Sequence, residues 1–293
     1  MDSAIPVHST APPSVAIVVL TWNGRDLTLD CLRSLEAVTT PNVRVMVVDN
    51  ASSDGTVDAV RARYGERVDV LVNASNLGFA GGNNAGIRRA LDEGARFVLL
   101  LNNDTTVAPD FVDRLLDPMR EPNPIGITAP KIYFAEPSNR IWYAGGEISL
   151  WKGTARHLGI REIDRGQHDH ARDVVYASGC AFLARRDVFE RIGFLDEGYR
   201  AYFEDADWCM RATQAGFRIR YEPGARVWHR ISASTGGQVS RAKISRKLGS
   251  AWRFFRTYAR PYHWITIPLF FVLDVVRITG LVLVGRIRGA DPL

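Results

Sequence analysis

The sequence predicts an α/β protein built on a mixed, mostly parallel sheet flanked by helices, and three observations carry that prediction. Four short runs rich in Val, Ile and Leu, VAIVVLT at 15–21, VRVMVVD at 43–49, VDVLV at 68–72 and FVLLL at 97–101, lack polar alternation, as strands buried on both faces do. Between them lie segments with apolar residues at helical spacing, such as Leu27, Cys31 and Leu35, or Val57 and Val60. Each run ends in polar residues, several with glycine and asparagine. A βαβαβαβ order with right-handed crossovers follows, and the loops after the strands gather at one sheet edge, where ligands of open α/β sheets bind.

Taken in order, residues 1–14 read as a flexible tail. They carry an acid at Asp2 and no apolar stretch before Val15, which is not the pattern of a secretory signal. Residues 15–108 form the regular half. From 109 to 235 the alternation weakens, because Pro118, Pro122, Pro124, Pro130 and Pro137 interrupt it, and antiparallel-looking pieces such as 141–151 and 174–186 follow. A helix is predicted at Ala206–Ala215, with Asp205 as N-cap and Gly216 as the stop. Residues 236–293 contain two helical patterns. Arg241–Tyr258 is amphipathic and basic, with Ile244, Leu248, Trp252, Phe255 and Tyr258 near one face. At 264–285 about 22 residues are apolar except Asp274 and Arg277, which are spaced to pair on one helix face. Two charges in one span are costly at mid-bilayer, so seating on a membrane surface is favoured over crossing it.

Composition narrows the setting. With 46% hydrophobic and 24% charged residues, the chain is neither disordered nor fibrous. Cys31, Cys180 and Cys209 form no C-x-x-C pair and lie in apolar segments, which argues against a disulfide framework and fits a reducing, cytoplasmic setting. The net charge of +5 is uneven: Pro223 to Leu273 holds nine Lys and Arg and no acid. Such a run is either a solvated face or a surface for an anionic partner, a diphosphate or an acidic membrane ahead of nucleic acid.

The candidate chemistry sits at the strand ends. Thr21-Trp22-Asn23-Gly24, Asp49 to Gly55, and Asn76-Leu77-Gly78 through Gly81-Gly82-Asn83-Asn84 supply hydroxyls, amides and glycines suited to a nucleotide diphosphate, though Ser52, Ser53 and Asp54 also read as helix caps. After FVLLL comes Asn102-Asn103-Asp104; Asp104 is either a contact for a hard divalent ion or the cap of the turn leading to Pro109. A second acidic cluster, Glu204-Asp205-Ala206-Asp207, opens the predicted helix and can serve as a general base or simply as a cap. His229, in VWHR, is a core residue or a metal ligand.

In this order, TWNG, VDNASSDGT, NLGFAGGNN, LLLNNDT, SGCAFLARR, GFLDE, YFEDADWCMR and VWH resemble the family 2 inverting glycosyltransferases of the GT-A fold, in their bacterial rhamnosyltransferase-like branch. The likeness runs from about Val15 to His229. It implies a nucleotide-diphosphate sugar donor, with dTDP-rhamnose favoured and other hexoses open, and Mg²⁺ or Mn²⁺ as cofactor. It implies donor contacts at Thr21, Asn23, Asp49, Asn76, Gly78, Asn83, Asn102 and Asn103, and metal contacts at Asp104 and His229. Asp205 matches the catalytic base, with Glu204, Asp207 and Trp208 on the acceptor side. One departure stands out: Asn102 and Asn103 leave the metal element a single carboxylate. The branch also implies a glycan or polyprenyl-diphosphate-linked acceptor at the inner face of the cell membrane, with Trp252, Phe254, Phe255, Tyr258 and Trp264 seated on an anionic surface and no nucleic acid partner. A sugar nucleotidyltransferase would need a Gly-rich, Arg- or Lys-bearing loop after the first strand, which TWNGRD is not; a nucleotide-sugar-binding protein without turnover is the other alternative.

Overall fold

A computed structural model describes residues 15–120, 124–199, 201–230, 241–270 and 272–273, with backbone alone at 241–244. The expected tail at 1–14 and the Asp274–Arg277 pair lie outside the described residues.

The first half follows its hydrophobic pattern. Strands β1 (Val15–Thr21), β2 (Val43–Asp49), β3 (Val68–Val72) and β4 (Phe97–Asn102) alternate with helices α1 (Arg25–Leu35), α2 (Thr56–Tyr64) and α3 (Gly78–Asp92). The four strands pair in parallel in the order β4-β1-β2-β3. The Val, Ile and Leu side chains of β1, β2 and β4 are almost all buried, which is why those runs lack alternation, whereas in β3 only Val68 is buried and Val72 is exposed.

One reading changes here. NLGFAGGNN is no loop: α3 begins at Gly78, so Gly81, Gly82, Asn83 and Asn84 are helical. Glycine is needed for proximity, since a Cβ at Gly82 would lie 2.4 Å from Leu20 Cδ1 and one at Gly86 2.5 Å from Val18 Cγ1. These two glycines, four apart on one helix face, let α3 press onto β1 and β2.

The second half comprises β5 (Thr105–Val107), α4 (Phe111–Leu116), β6 (Ile125–Phe134), β7 (Ile141–Tyr143), β8 (Gly146–Ser149), β9 (Thr154–His157), β10 (Arg172–Asp173) and β11 (Ala181–Arg185). It continues with α5 (Arg186–Ile192), α6 (Glu204–Gln214), β12 (Arg218–His229) and α7 (Arg241–Tyr258). It extends the same sheet to β10-β12-β6-β11-β4-β1-β2-β3, with β11 antiparallel between β4 and β6, and β6 parallel to β12. The β8–β9 hairpin stands apart as a second, two-stranded sheet.

Prolines hid two strands. Pro130 lies inside β6, but its partner Glu222 is where β12 bulges as far as Arg226, the kind of irregularity that tolerates a missing N–H. The α6 helix starts at Glu204, not Ala206, with Phe203 in the capping position, so the expected Asp205 cap is corrected. Gly216, at φ +94°, does end that segment. The α7 bounds match the amphipathic reading, but its faces do not. Phe254 and Phe255 are buried against Phe203, whereas Leu248 and Trp252 are 60% and 59% exposed. Among the described residues no helix is long and apolar enough to cross a membrane.

Candidate active site

The ends of β1, β2 and β4 form one rim. Asp49 is buried at the end of β2; its Oδ2 accepts the Ser52 amide at 2.8 Å, while its Oδ1 is buried with no hydrogen-bond partner among the described residues. An unpaired buried carboxylate oxygen is costly, so this atom fits a donor brought by a ligand. Asn50 ties the rim together: its amide takes the Thr21 carbonyl at 2.9 Å, and its side chain meets Asn73 and the Gly78 carbonyl. Asn23, at φ +50°, accepts the Ser53 amide through Oδ1, stapling the first loop to the second. Asn76 accepts the Gly78 amide at 2.8 Å and fixes the turn into α3.

Three of the expected donor residues have their side chains in bonds within the scaffold. The Thr21 hydroxyl is buried between Thr28 Oγ1 at 2.9 Å and Asn103 Nδ2 at 3.1 Å, and Asn103 also donates to Thr28. The side chains of Thr21 and Asn103 therefore satisfy each other beneath the rim. Asn83 is buried within α3 and donates to the Phe79 carbonyl one turn back. Asn102 remains half-buried at the strand end, its amide on the Cys180 carbonyl.

Asp104 and His229 come together across 125 positions of sequence. Thr105 of β5 pairs with His229 of β12, which brings His229 Nε2 to 3.1 Å from Asp104 Oδ1. Burial opposes a charge on His229, but the neighbouring Cys180 sulfur and the Asp104 carboxylate outweigh it and push the imidazole up to about 10. The Trp142 ring stands edge-on to His229, centroids 4.7 Å apart. One carboxylate with one imidazole fits a divalent ion that takes its other ligands from phosphate. Among the described residues no group of three or more His, Cys, Asp or Glu is arranged for a metal.

The second acidic cluster divides by direction. Asp205 Oδ2 accepts the Gly179 amide and Oδ1 the Ala206 amide, both at 2.8 Å. Burial raises its pKa against the pull of these two amides. Burial, then the Asp205 carboxylate, push Glu204 up to about 8, and Glu204 Oε2 is buried without a partner among the described residues. Both acids line a cleft of about 450 Å³ with Trp142, His157, Tyr176, Tyr202, Phe203, Arg156 and Lys247. Asp207 and Trp208, expected on the acceptor side, point the other way. Asp207 is buried and paired with Arg211 at 2.9 Å, and Trp208 is core, stacked on Phe182 and Phe189 with its indole N–H on the Gly193 carbonyl. Asp207, two positions on, lies across the helix from Asp205, whereas Trp208, three positions on, is drawn from the cleft by its packing on Phe182 and Phe189.

The sequence reading missed the link between the two acid sites. Ser178-Gly179-Cys180, the lead into β11, gives its Gly179 amide to Asp205, places the Cys180 sulfur beside His229 and offers the Cys180 carbonyl to Asn102. A Cβ at Gly179 would lie 3.1 Å from the Phe79 ring. The SGC tripeptide was visible, but neither thiol nor glycine has donor chemistry that draws attention. Trp142 and His157 were also missed, being aromatic residues in an apolar stretch.

The family model described as glycosyltransferase like family 2 matches residues 12–252. The chain belongs to that family. It is a glycosyltransferase. It is 31% identical over 224 residues to the N-acetylglucosaminyl-diphospho-decaprenol L-rhamnosyltransferase of Mycobacterium tuberculosis, covering 70% of this chain and 72% of that one. It is 26% identical over 225 residues to the dTDP-rhamnosyl transferase RfbF of Shigella flexneri, covering 74% and 69%. The fold resembles that of GalNAc-T7, solved with UDP, GalNAc and Mn²⁺, at a TM-score of 0.64 and 17% identity, covering 84% of this chain but 48% of that one. The glycosyltransferase thus has the GT-A architecture: a curled, mostly parallel sheet with helices on both sides.

Proposed function

We propose that this glycosyltransferase moves a sugar, with rhamnose favoured, from a nucleotide-diphosphate donor to a hydroxyl of a glycan or polyprenyl-diphosphate-linked acceptor, with inversion. The observation that carries the reading is the meeting of the Asp104–His229 pair and the Glu204–Asp205 pair on either side of Ser178–Cys180. An in-line displacement needs its base and its leaving group on opposite faces of the sugar, and two acid sites joined by one tripeptide suit that need.

In this reading the unpartnered Asp49 Oδ1 takes an N–H of the nucleotide base, and Asn23, Asn76, Gly78 and Asn102 border the donor. Asp104 and His229 would hold Mn²⁺ or Mg²⁺, which supplies charge neutralisation at the leaving diphosphate. His229 must be neutral to serve as a ligand, so ion binding releases its proton. Asp205, anchored by the Gly179 amide, accepts the proton of the acceptor hydroxyl, and Glu204 sets how readily it does so. Trp142 and Tyr176 offer aromatic faces to the acceptor sugar, with Lys247 and Arg156 at the cleft for its phosphate.

The relatives' rhamnosyl names favour dTDP-rhamnose, and the decaprenol-linked substrate in one of those names favours a lipid-linked acceptor. The exposed Leu248, Trp252, Ile265 and Leu269, within a segment rich in Lys and Arg and free of acids, suit an anionic membrane surface, and hence a peripheral position at the cytoplasmic face. The test is a panel of nucleotide sugars screened for thermal stabilisation with and without Mn²⁺ or Mg²⁺, because a ligand of the native state raises its midpoint. The expected result is stabilisation by a dTDP-sugar that grows with the ion. Stabilisation by no nucleotide sugar under either ion would overturn the donor assignment.

A further inference from the structure

The turn that delivers the base is held in an unusual backbone conformation. Tyr202 and Phe203, consecutive and both immediately before Glu204-Asp205, have φ of +68° and +70°. Residues with a Cβ persist there only when their surroundings fix them. What surrounds this turn is α7. The Phe203 ring packs on Phe254 and Phe255, at centroid distances of 5.2 and 5.9 Å. Ser250 Oγ donates to the Ala201 carbonyl at 2.7 Å, and Arg253 pairs with Asp196 at 2.7 Å. The Tyr258 hydroxyl donates to Asp207 Oδ1 at 2.9 Å, two residues beyond the base on the same helix. The α7 contacts therefore grip the turn from both ends, Ala201 and Asp207, while Asp205 itself faces the cleft.

We propose that α7 is the brace of the catalytic base, and that Tyr258 and Ser250 are positioning residues for transfer although neither lines the cleft. The proposal rests on the transferase reading for its rate effects and on geometry alone for the brace.

The test uses the full chain and two hydroxyl deletions of minimal volume, Tyr258→Phe and Ser250→Ala, singly and together. Thr257→Ala is the control, because among the described residues the Thr257 hydroxyl bonds to the Arg253 carbonyl of its own helix and to nothing on the base turn. Hydrogen exchange comes first. In the double variant the amides of 201–207 and Gly179 exchange faster, while those of β1, β2 and β4 keep parental rates. Initial rates follow: kcat drops about tenfold with the donor KM within about twofold, since misplacing a base costs turnover before it costs binding. Thr257→Ala matches the parent in both. Unchanged exchange at 201–207 would overturn the brace. Faster exchange with parental kcat would overturn the positioning role. Faster exchange in the double variant beside a parent that transfers no sugar would instead refute the transferase reading and leave the brace standing.

Discussion

In the proposed mechanism Asp205 is the residue on which the chemistry turns. It is held by two backbone amides and shadowed by a second carboxylate. General-base catalysis contributes about 10² to 10⁴ in rate, so Asp205→Asn is expected to lower kcat about a thousandfold while nucleotide-induced thermal stabilisation survives. Activity undiminished by that change would move the base elsewhere. The pair also sets the pH response. Glu204, pushed up to about 8 from an ordinary 4.5, and the raised Asp205 retain a proton between them at neutral pH. Initial rates should therefore climb through the region around pH 8. Stability runs the opposite way: the fold binds more protons than the unfolded chain across about 4.5 to 8, so this pair's contribution falls as pH rises through that window. Midpoints of thermal unfolding over the same range check the sign. The sequence singled out these acids as candidates because each stands at a helix entrance or a strand end, where a carboxylate serves either a ligand or a cap. Side-chain directions were not legible there. Thr21 and Asn103 read alike as donor contacts, yet their side chains bond to each other, while Asp207 is committed to Arg211 and Trp208 to the core.

At the scale of elements, the first half could be read because its strands are continuous Val, Ile and Leu runs between helical segments. The second half could not, because β6 and β12 contain Pro130 and Pro223, and the pairing that tolerates them is long-range. The helical run through Gly81-Gly82 was mistaken for a loop for the same reason. Its glycines answer to the sheet beneath rather than to local propensity. Gly86→Ala would drive a methyl group into Val18 and Val48, at 2.5 and 2.7 Å, and overpacking of this kind costs about 1–3 kcal/mol. A lowered denaturant midpoint with unchanged slope is the expected reading. The α7 helix shows the converse: its bounds were plain, but its two apolar edges serve different neighbours, one the base turn and the other the outside.

For the whole molecule, the acid-free basic segment also carries a group of exposed apolar residues. Trp252, half exposed, stands 5.0 Å from Trp264, and Ile265 is 77% exposed. Binding to vesicles containing anionic lipid is expected, weakened by high salt and by Trp252→Glu with Ile265→Glu, and read by flotation. Parental flotation by the double variant would remove this face from the contact.

The cleft proposed for the acceptor differs in construction from the rim proposed for the donor. Several of its wall segments, the β8–β9 hairpin, the Tyr202–Phe203 turn and Lys247 of α7, add no strand to the main sheet, whereas the donor rim and the Asp104–His229 pair are written into strand register. On the proposed assignment, acceptor choice can therefore drift while donor choice stays fixed. Grafting a relative's 146–157 segment onto this scaffold should readdress the same activated sugar to a new recipient, which makes the hairpin a natural handle for building altered cell-surface glycans.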